Sequence, residues 1–155
     1  MKFFEPNDAF LDWLAKHAGN RMVFDVGSGE GHITRALLSR KVKCVGIEPQ
    51  WDRYFEENRD LVNAIIPTEA EHCSSVALAT NSLFLFCRPC HNLFVERTLR
   101  RLQPGNEVLY ITKPENLGVD FDLKMWTVKK VDAPPCPEER VWQVVRSRRM
   151  PKRRC

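Results

Sequence analysis

The sequence predicts a three-layer α/β/α sandwich around a mostly parallel, seven-stranded sheet that ends in an antiparallel pair. Three observations carry that expectation. Short apolar runs alternate with amphipathic helical stretches through the first hundred or so residues, which requires right-handed crossovers between parallel strands. A glycine-rich loop separates the first strand pattern from the helix that follows it. Near the end, two strand patterns succeed each other with a proline-rich link and no helical stretch, so they should pair antiparallel.

Each element has its own signal. Residues 8–17 place Phe10, Leu11, Trp13 and Leu14 at helical spacing, with Asn7 or Asp8 to cap the start and Gly19 to close the end. Residues 22–26 read as a buried strand, broken by Gly27-Ser28-Gly29-Glu30-Gly31, and residues 32–40 as a helix burying Ile33, Ala36 and Leu37. Residues 42–47 give the second strand, and 51–58 a second crossover helix with Trp51, Tyr54 and Phe55 inward. Residues 62–66 form a third strand stopped by Pro67, and 83–86 a fourth, continuously apolar one. Residues 92–102 are a helix with Val95, Leu99 and Leu102 inward and Arg97, Arg100 and Arg101 outward. Strands at 108–111, 125–131 and 141–145 complete the sheet, the last two joined across Pro134, Pro135 and Pro137.

Composition narrows the class. A chain of 155 residues, 43% hydrophobic and 28% charged, suits one globular domain, here residues 1–147, followed by a basic tail at 148–155. The longest apolar run is a strand's length, far below the roughly 18–20 residues of a membrane span. The first eight residues are broken by charge and by Pro6 before an apolar core develops, which points to the cytoplasm and to reduced cysteines. The net charge of +4 is a property of the end: residues 146–155 hold six Lys/Arg and no acid, and the remainder has 18 basic against 20 acidic residues. Such a tail is either a solvated terminus or a non-specific grip on phosphates.

The glycine loop carries the chemistry. Its spacing is Asp-x-Gly-x-Gly-x-Gly from Asp25, and position 32, where a dinucleotide fingerprint wants glycine, is His32. Glycines allow tight turns and close ligand approach, while Asp25 near the strand's end suits a cationic ligand and repels a pyrophosphate. Glu48 ends the second strand, 21 residues after Gly27, where a carboxylate can accept both hydroxyls of a ribose. Glu69 and Ala70 follow the third strand.

On these residues the chain, from 22 to 145, resembles the class I S-adenosylmethionine-dependent methyltransferases, with their Rossmann-like fold. The resemblance implies S-adenosylmethionine as cofactor. Gly27, Ser28 and Gly29 would wrap its amino-acid part and ribose, and Asp25 would sit near its ammonium. Glu48 would hold the ribose hydroxyls, with Pro49 or Gln50 against the adenine. Glu69 and Ala70 would meet the adenine's polar edge, and Cys87, closing the fourth strand, would border the same site.

In that fold catalytic groups come from the loop after the fourth strand, here Cys87-Arg88-Pro89-Cys90-His91-Asn92. It lacks the Asp/Asn-Pro-Pro-aromatic motif of amine-methylating relatives. Pro89-Cys90 resembles the cytosine-C5 methyltransferases, by which Cys90 would be a nucleophile, Glu115 would hold the ring and Arg148 would steady the base. Arg88 is a candidate for binding a carboxylate or phosphate, and His91 for a general base or a helix cap. The same residues also match a c-type haem attachment signal, a thioredoxin-type site, or a zinc set with His72 and Cys73. The leading expectation is methyl transfer without metal to an undetermined acceptor, with a nucleic acid or a phosphate-bearing small molecule as the candidates. A silent binding module and a nicotinamide-binding domain are the rivals. Such compact loops imply either a small open pocket or help from a second subunit, in a homo-oligomer or from a partner.

Overall fold

A computed structural model of the protein describes residues 6–87, 92–113, 126–134 and 139–146. Among these residues the strands are β1 (Val23–Val26), β2 (Cys44–Ile47), β3 (Ile65–Ile66), β4 (Leu83–Cys87), β5 (Glu107–Thr112), β6 (Trp126–Lys130) and β7 (Arg140–Arg146). They form one sheet in the order β3-β2-β1-β4-β5-β7-β6. The first five run parallel, and β7 pairs antiparallel with both β5 and β6. The fold class is the one expected from sequence. Among the described residues no helix is long and apolar enough to cross a membrane.

The alternation of side chains along the central strands decides the layers. Val23, Leu83, Leu85, Leu109 and Ile111 face α1 (Asp8–Ala18) and α2 (His32–Ser39), and pack with Phe10, Leu14, Ile33 and Leu37. Phe24, Val26, Phe84, Phe86 and Tyr110 face the other way, onto α3 (Ser74–Leu78) and α4 (Asn92–Arg101), with Val76, Val95 and Leu99. Both faces of β1, β4 and β5 are therefore dry, and only a parallel sheet sandwiched between helices buries such continuous apolar runs. α1 begins as expected: Asn7 Oδ1 accepts the Phe10 N–H at 2.9 Å, and Gly19, at φ +59°, ends the helix. Its far end is tied to the sheet by Glu107, which accepts from His17 (2.7 Å), Arg21 (3.0 Å) and Gln143 (2.7 Å).

Two elements differ from expectation. Residues 51–58 do not form an α-helix; short 3-10 turns at Trp51–Arg53 and Arg59–Leu61 stand there instead. The Arg53 and Tyr54 N–H groups already bond three residues back, to Gln50 and Trp51, and Asn58 closes the segment. Its Nδ2 donates to the Tyr54 carbonyl at 2.9 Å, the acceptor its own backbone N–H would use in an α-helix, and that N–H turns to Phe55 instead. The inward aromatics survive the change, since Trp51, Tyr54 and Phe55 pack with Leu61 and Ile65. The third strand shrinks to two residues, and the five-residue α3 had no expectation attached to it.

Gly31 caps α2 in the left-handed region, at φ +83°, and a Cβ there would stand 2.5 Å from Cδ1 of Leu61, itself buried. Gly31→Ala combines backbone strain with that collision and should cost about 1–3 kcal/mol. Urea unfolding followed by circular dichroism checks it; an unchanged midpoint contradicts the packing described.

Candidate functional site

The order of the strands places a crevice. The chain moves outward from β1 through β2 to β3, then returns to add β4 on the other side, so the direction of winding reverses between β1 and β4. In open α/β sheets, ligands bind outside the carboxyl ends of the strands at such a reversal. Gly27 to Gly31 lie at this point, following β1 and opening α2.

Neighbouring strands hold the loop in shape. The Ile47 carbonyl accepts from both Gly27 N–H (2.8 Å) and Ser28 N–H (3.1 Å), and Gly31 N–H returns to the Ser28 carbonyl at 2.9 Å. Gly27, Gly29 and Gly31 all have positive φ. Glu48, buried at the end of β2, accepts the Gly29 N–H on Oε2 at 3.1 Å and faces the Gln50 N–H with Oε1 at 3.4 Å. Each of its oxygens keeps further lone-pair capacity for a ligand hydroxyl. Ser28 turns its side chain down onto β2, where its buried hydroxyl has no hydrogen-bond partner among the described residues. A Cβ on Gly46 would collide with Ile65 and would come within 2.8 Å of that hydroxyl.

Asp25 lies beneath the loop, 2% exposed, on the sheet face that carries α2. Its Oδ2 accepts the Thr34 hydroxyl at 2.8 Å, and the Thr34 backbone N–H bonds to it as well. Gly31 offers no side-chain cap, so a carboxylate from β1 takes that role for α2, at the positive end of the helix dipole. Burial pushes the Asp25 carboxyl up to about 6, with nearby Glu48 adding to the rise and the two Thr34 bonds opposing it. The same burial, with Asp25 close by, pushes the Cys44 thiol far up. The thiol is inert there.

The other candidates take varied positions. Pro49 is exposed beside Glu48. Glu69 is exposed at the end of the β3 connection, with its carboxylate 3.3 Å from His72 Nε2, while Ala70 is buried in the core. Cys87 is half-buried at the end of β4 on the α1–α2 face, whereas Cys73 belongs to the opposite core, so the structure does not bring together the zinc set that includes them. Cys44, Cys73 and Cys87 are all thiols. Arg88, Cys90 and His91, with Glu115 and Arg148, lie outside the described residues.

Three contributors were missed from sequence: Thr34, Gly46 and Phe94. Gly46 did carry a signal, because glycine inside a strand marks a close approach of another chain segment. Thr34 and Phe94 sit on helix faces that read only as amphipathic.

No protein-family model and no curated protein matches the chain. Solved structures do. A S-adenosylmethionine-dependent methyltransferase from Bacteroides fragilis, in complex with S-adenosyl-L-homocysteine, is 11% identical with a TM-score of 0.64, over 93% of this chain and 80% of that one. The 23S rRNA methyltransferase ErmE is 14% identical, TM-score 0.61, over 94% and 70%. A precorrin-6y C5,15-methyltransferase from Geobacter metallireducens GS-15 is 11% identical, TM-score 0.58, over 95% and 93%. The chain thus has the fold of the class I S-adenosylmethionine-dependent methyltransferases.

The raised Asp25 pKa sets a pH dependence. The folded protein holds this proton up to about pH 6, the unfolded chain only to about 3.8, so the contribution to stability is full at low pH and is lost as pH rises between those values. Asp25→Asn, which can still accept from Thr34, should remove up to about 3 kcal/mol of that slope and be the more stable protein at pH 7.5. Urea midpoints of both proteins from pH 4 to 8 test this; parallel curves contradict it.

Proposed function

We propose that the protein transfers a methyl group from S-adenosylmethionine to an acceptor bound above the carboxyl ends of β1 and β4. The observation that carries the reading is the glycine loop, held open between two buried carboxylates at the reversal of the sheet. Gly27 is exposed with its backbone bare, so a ligand can lie on it without meeting a side chain of the loop. The negative charge of Asp25 and Glu48 favours a ligand with an ammonium and a sulfonium over a pyrophosphate. Glu48 would accept the ribose hydroxyls, and Pro49, Glu69 and Ala70 follow on the adenine side. Bound there, the cofactor supplies a methyl group already activated on sulfur. The protein's task is then to hold an electron-rich acceptor in line with it.

The acceptor in this reading is a nucleic acid or another phosphate-bearing molecule, gripped in part by the basic tail. β7 bears on how the tail works. Its start, Arg140, pairs with Thr112 at the carboxyl end of β5, and its last residue, Arg146, pairs with Trp126 at the opposite end of the sheet from the glycine loop. The tail thus departs from the end remote from the cofactor site. Removing residues 150–155 should weaken nucleic-acid binding and flatten its salt dependence, with cofactor affinity unchanged. Filter binding at several salt concentrations tests this, and an unaltered slope rejects the tail as a phosphate grip.

Transfer of labelled methyl from S-adenosylmethionine across a panel of RNAs, DNAs and small acceptors tests the activity itself. Glu48→Ala removes the ribose acceptor and unpins Gly29, and should lower kcat/KM by at least about 100-fold, the loss of roughly 2.7 kcal/mol. Tight cofactor binding with no transfer to any acceptor would instead favour a silent module on the same fold.

A further inference from the structure

Resting on the methyl-transfer reading, we propose that Phe94 is a specificity-determining residue of the cofactor site, its ring recognising the positive charge of the methyl-bearing sulfur and so favouring substrate cofactor over its demethylated product.

The crevice at the β1–β4 reversal has the loop on one side and α4 on the other. A Cβ on Gly27 would stand 3.8 Å from Cζ of Phe94 and, among the described residues, would meet nothing else within 4 Å. The ring therefore borders the space directly over the bare backbone of Gly27. It is half-buried and held from behind: Phe86 lies against it with ring centroids 6.3 Å apart, and Thr98, fully buried one turn on, donates to the Phe94 carbonyl at 2.6 Å. Phe86 thus backs the ring on the sheet side, and the Thr98 bond holds the backbone that carries it.

The charges around it fit a cation. Asp25 and Glu48 are the carboxylates of the crevice. An aromatic face adds quadrupolar attraction for a cation that a neutral molecule of the same shape does not feel. S-adenosylmethionine and S-adenosylhomocysteine differ by a methyl group and by the positive charge on sulfur. A ring at Phe94 thus adds to the preference for the charged sulfur that the two carboxylates begin.

The test is the ratio of affinities for S-adenosylmethionine and S-adenosylhomocysteine, measured by calorimetry on the wild type, Phe94→Leu and Phe94→Tyr. Using a ratio within each variant cancels any loss of folded protein. Phe94→Leu keeps apolar bulk and removes the quadrupole, so the ratio should shift about 3- to 10-fold toward the product, while Phe94→Tyr stays within about two-fold of wild type. If Phe94→Leu weakens both ligands equally, or neither, Phe94 is only packing and the proposal is wrong although the cofactor reading stands. If the wild type binds neither ligand, the cofactor reading fails and this inference fails with it.

Discussion

The site is organised around one buried negative charge. Asp25 sits almost without solvent contact under a loop that supplies no side chain to it, and an isolated carboxylate there would be strongly disfavoured. The protein answers with α2, whose third residue, Thr34, gives the carboxylate both a hydroxyl and a backbone N–H. The dependence runs both ways. α2 begins at a left-handed glycine with no side-chain cap of its own, so its first turn takes its side-chain acceptor from β1. Strand β1, the loop and α2 are fixed to one another by this exchange.

A second constraint comes from β2. The Ile47 carbonyl and the Glu48 carboxylate together take three backbone N–H groups of the loop, and Gly46 leaves room for the Ser28 side chain beneath it. The loop's shape is thus set by the adjacent strand before any ligand arrives. Preorganisation of this kind lowers the ordering cost of binding. The cost appears in the orphaned Ser28 hydroxyl and in the raised Asp25 carboxyl, both within the same few residues.

Much of this was legible from the residues alone. The central strands announce themselves because β1, β4 and β5 are buried on both faces, which leaves continuous apolar runs with little ambiguity. Glycine at 27, 29 and 31, Asp25 before them and Glu48 one strand later stand out because each needs a residue type few others can replace. What stayed hidden depends on contacts between distant positions. Residues 51–58 have a helical spacing of aromatics, yet the backbone takes short 3-10 turns, closed by an Asn58 side chain that bonds Tyr54 and a distant Arg35 at 2.8 Å. Thr34 reads as one more residue on a helix face until β1 is laid beside it. Phe94 draws no notice in the sequence, and only the fold sets its ring near the bare backbone of Gly27.

In the proposed function, the loop, Asp25 and Glu48 form a site for a cationic nucleoside cofactor. Calorimetric titration of S-adenosylhomocysteine and, separately, of NAD into the purified protein and its Glu48→Ala variant tests this most directly. Saturable binding of S-adenosylhomocysteine that the variant loses, with no comparable binding of NAD, is the predicted result. Tighter binding of NAD, or an S-adenosylhomocysteine affinity indifferent to Glu48, would contradict it.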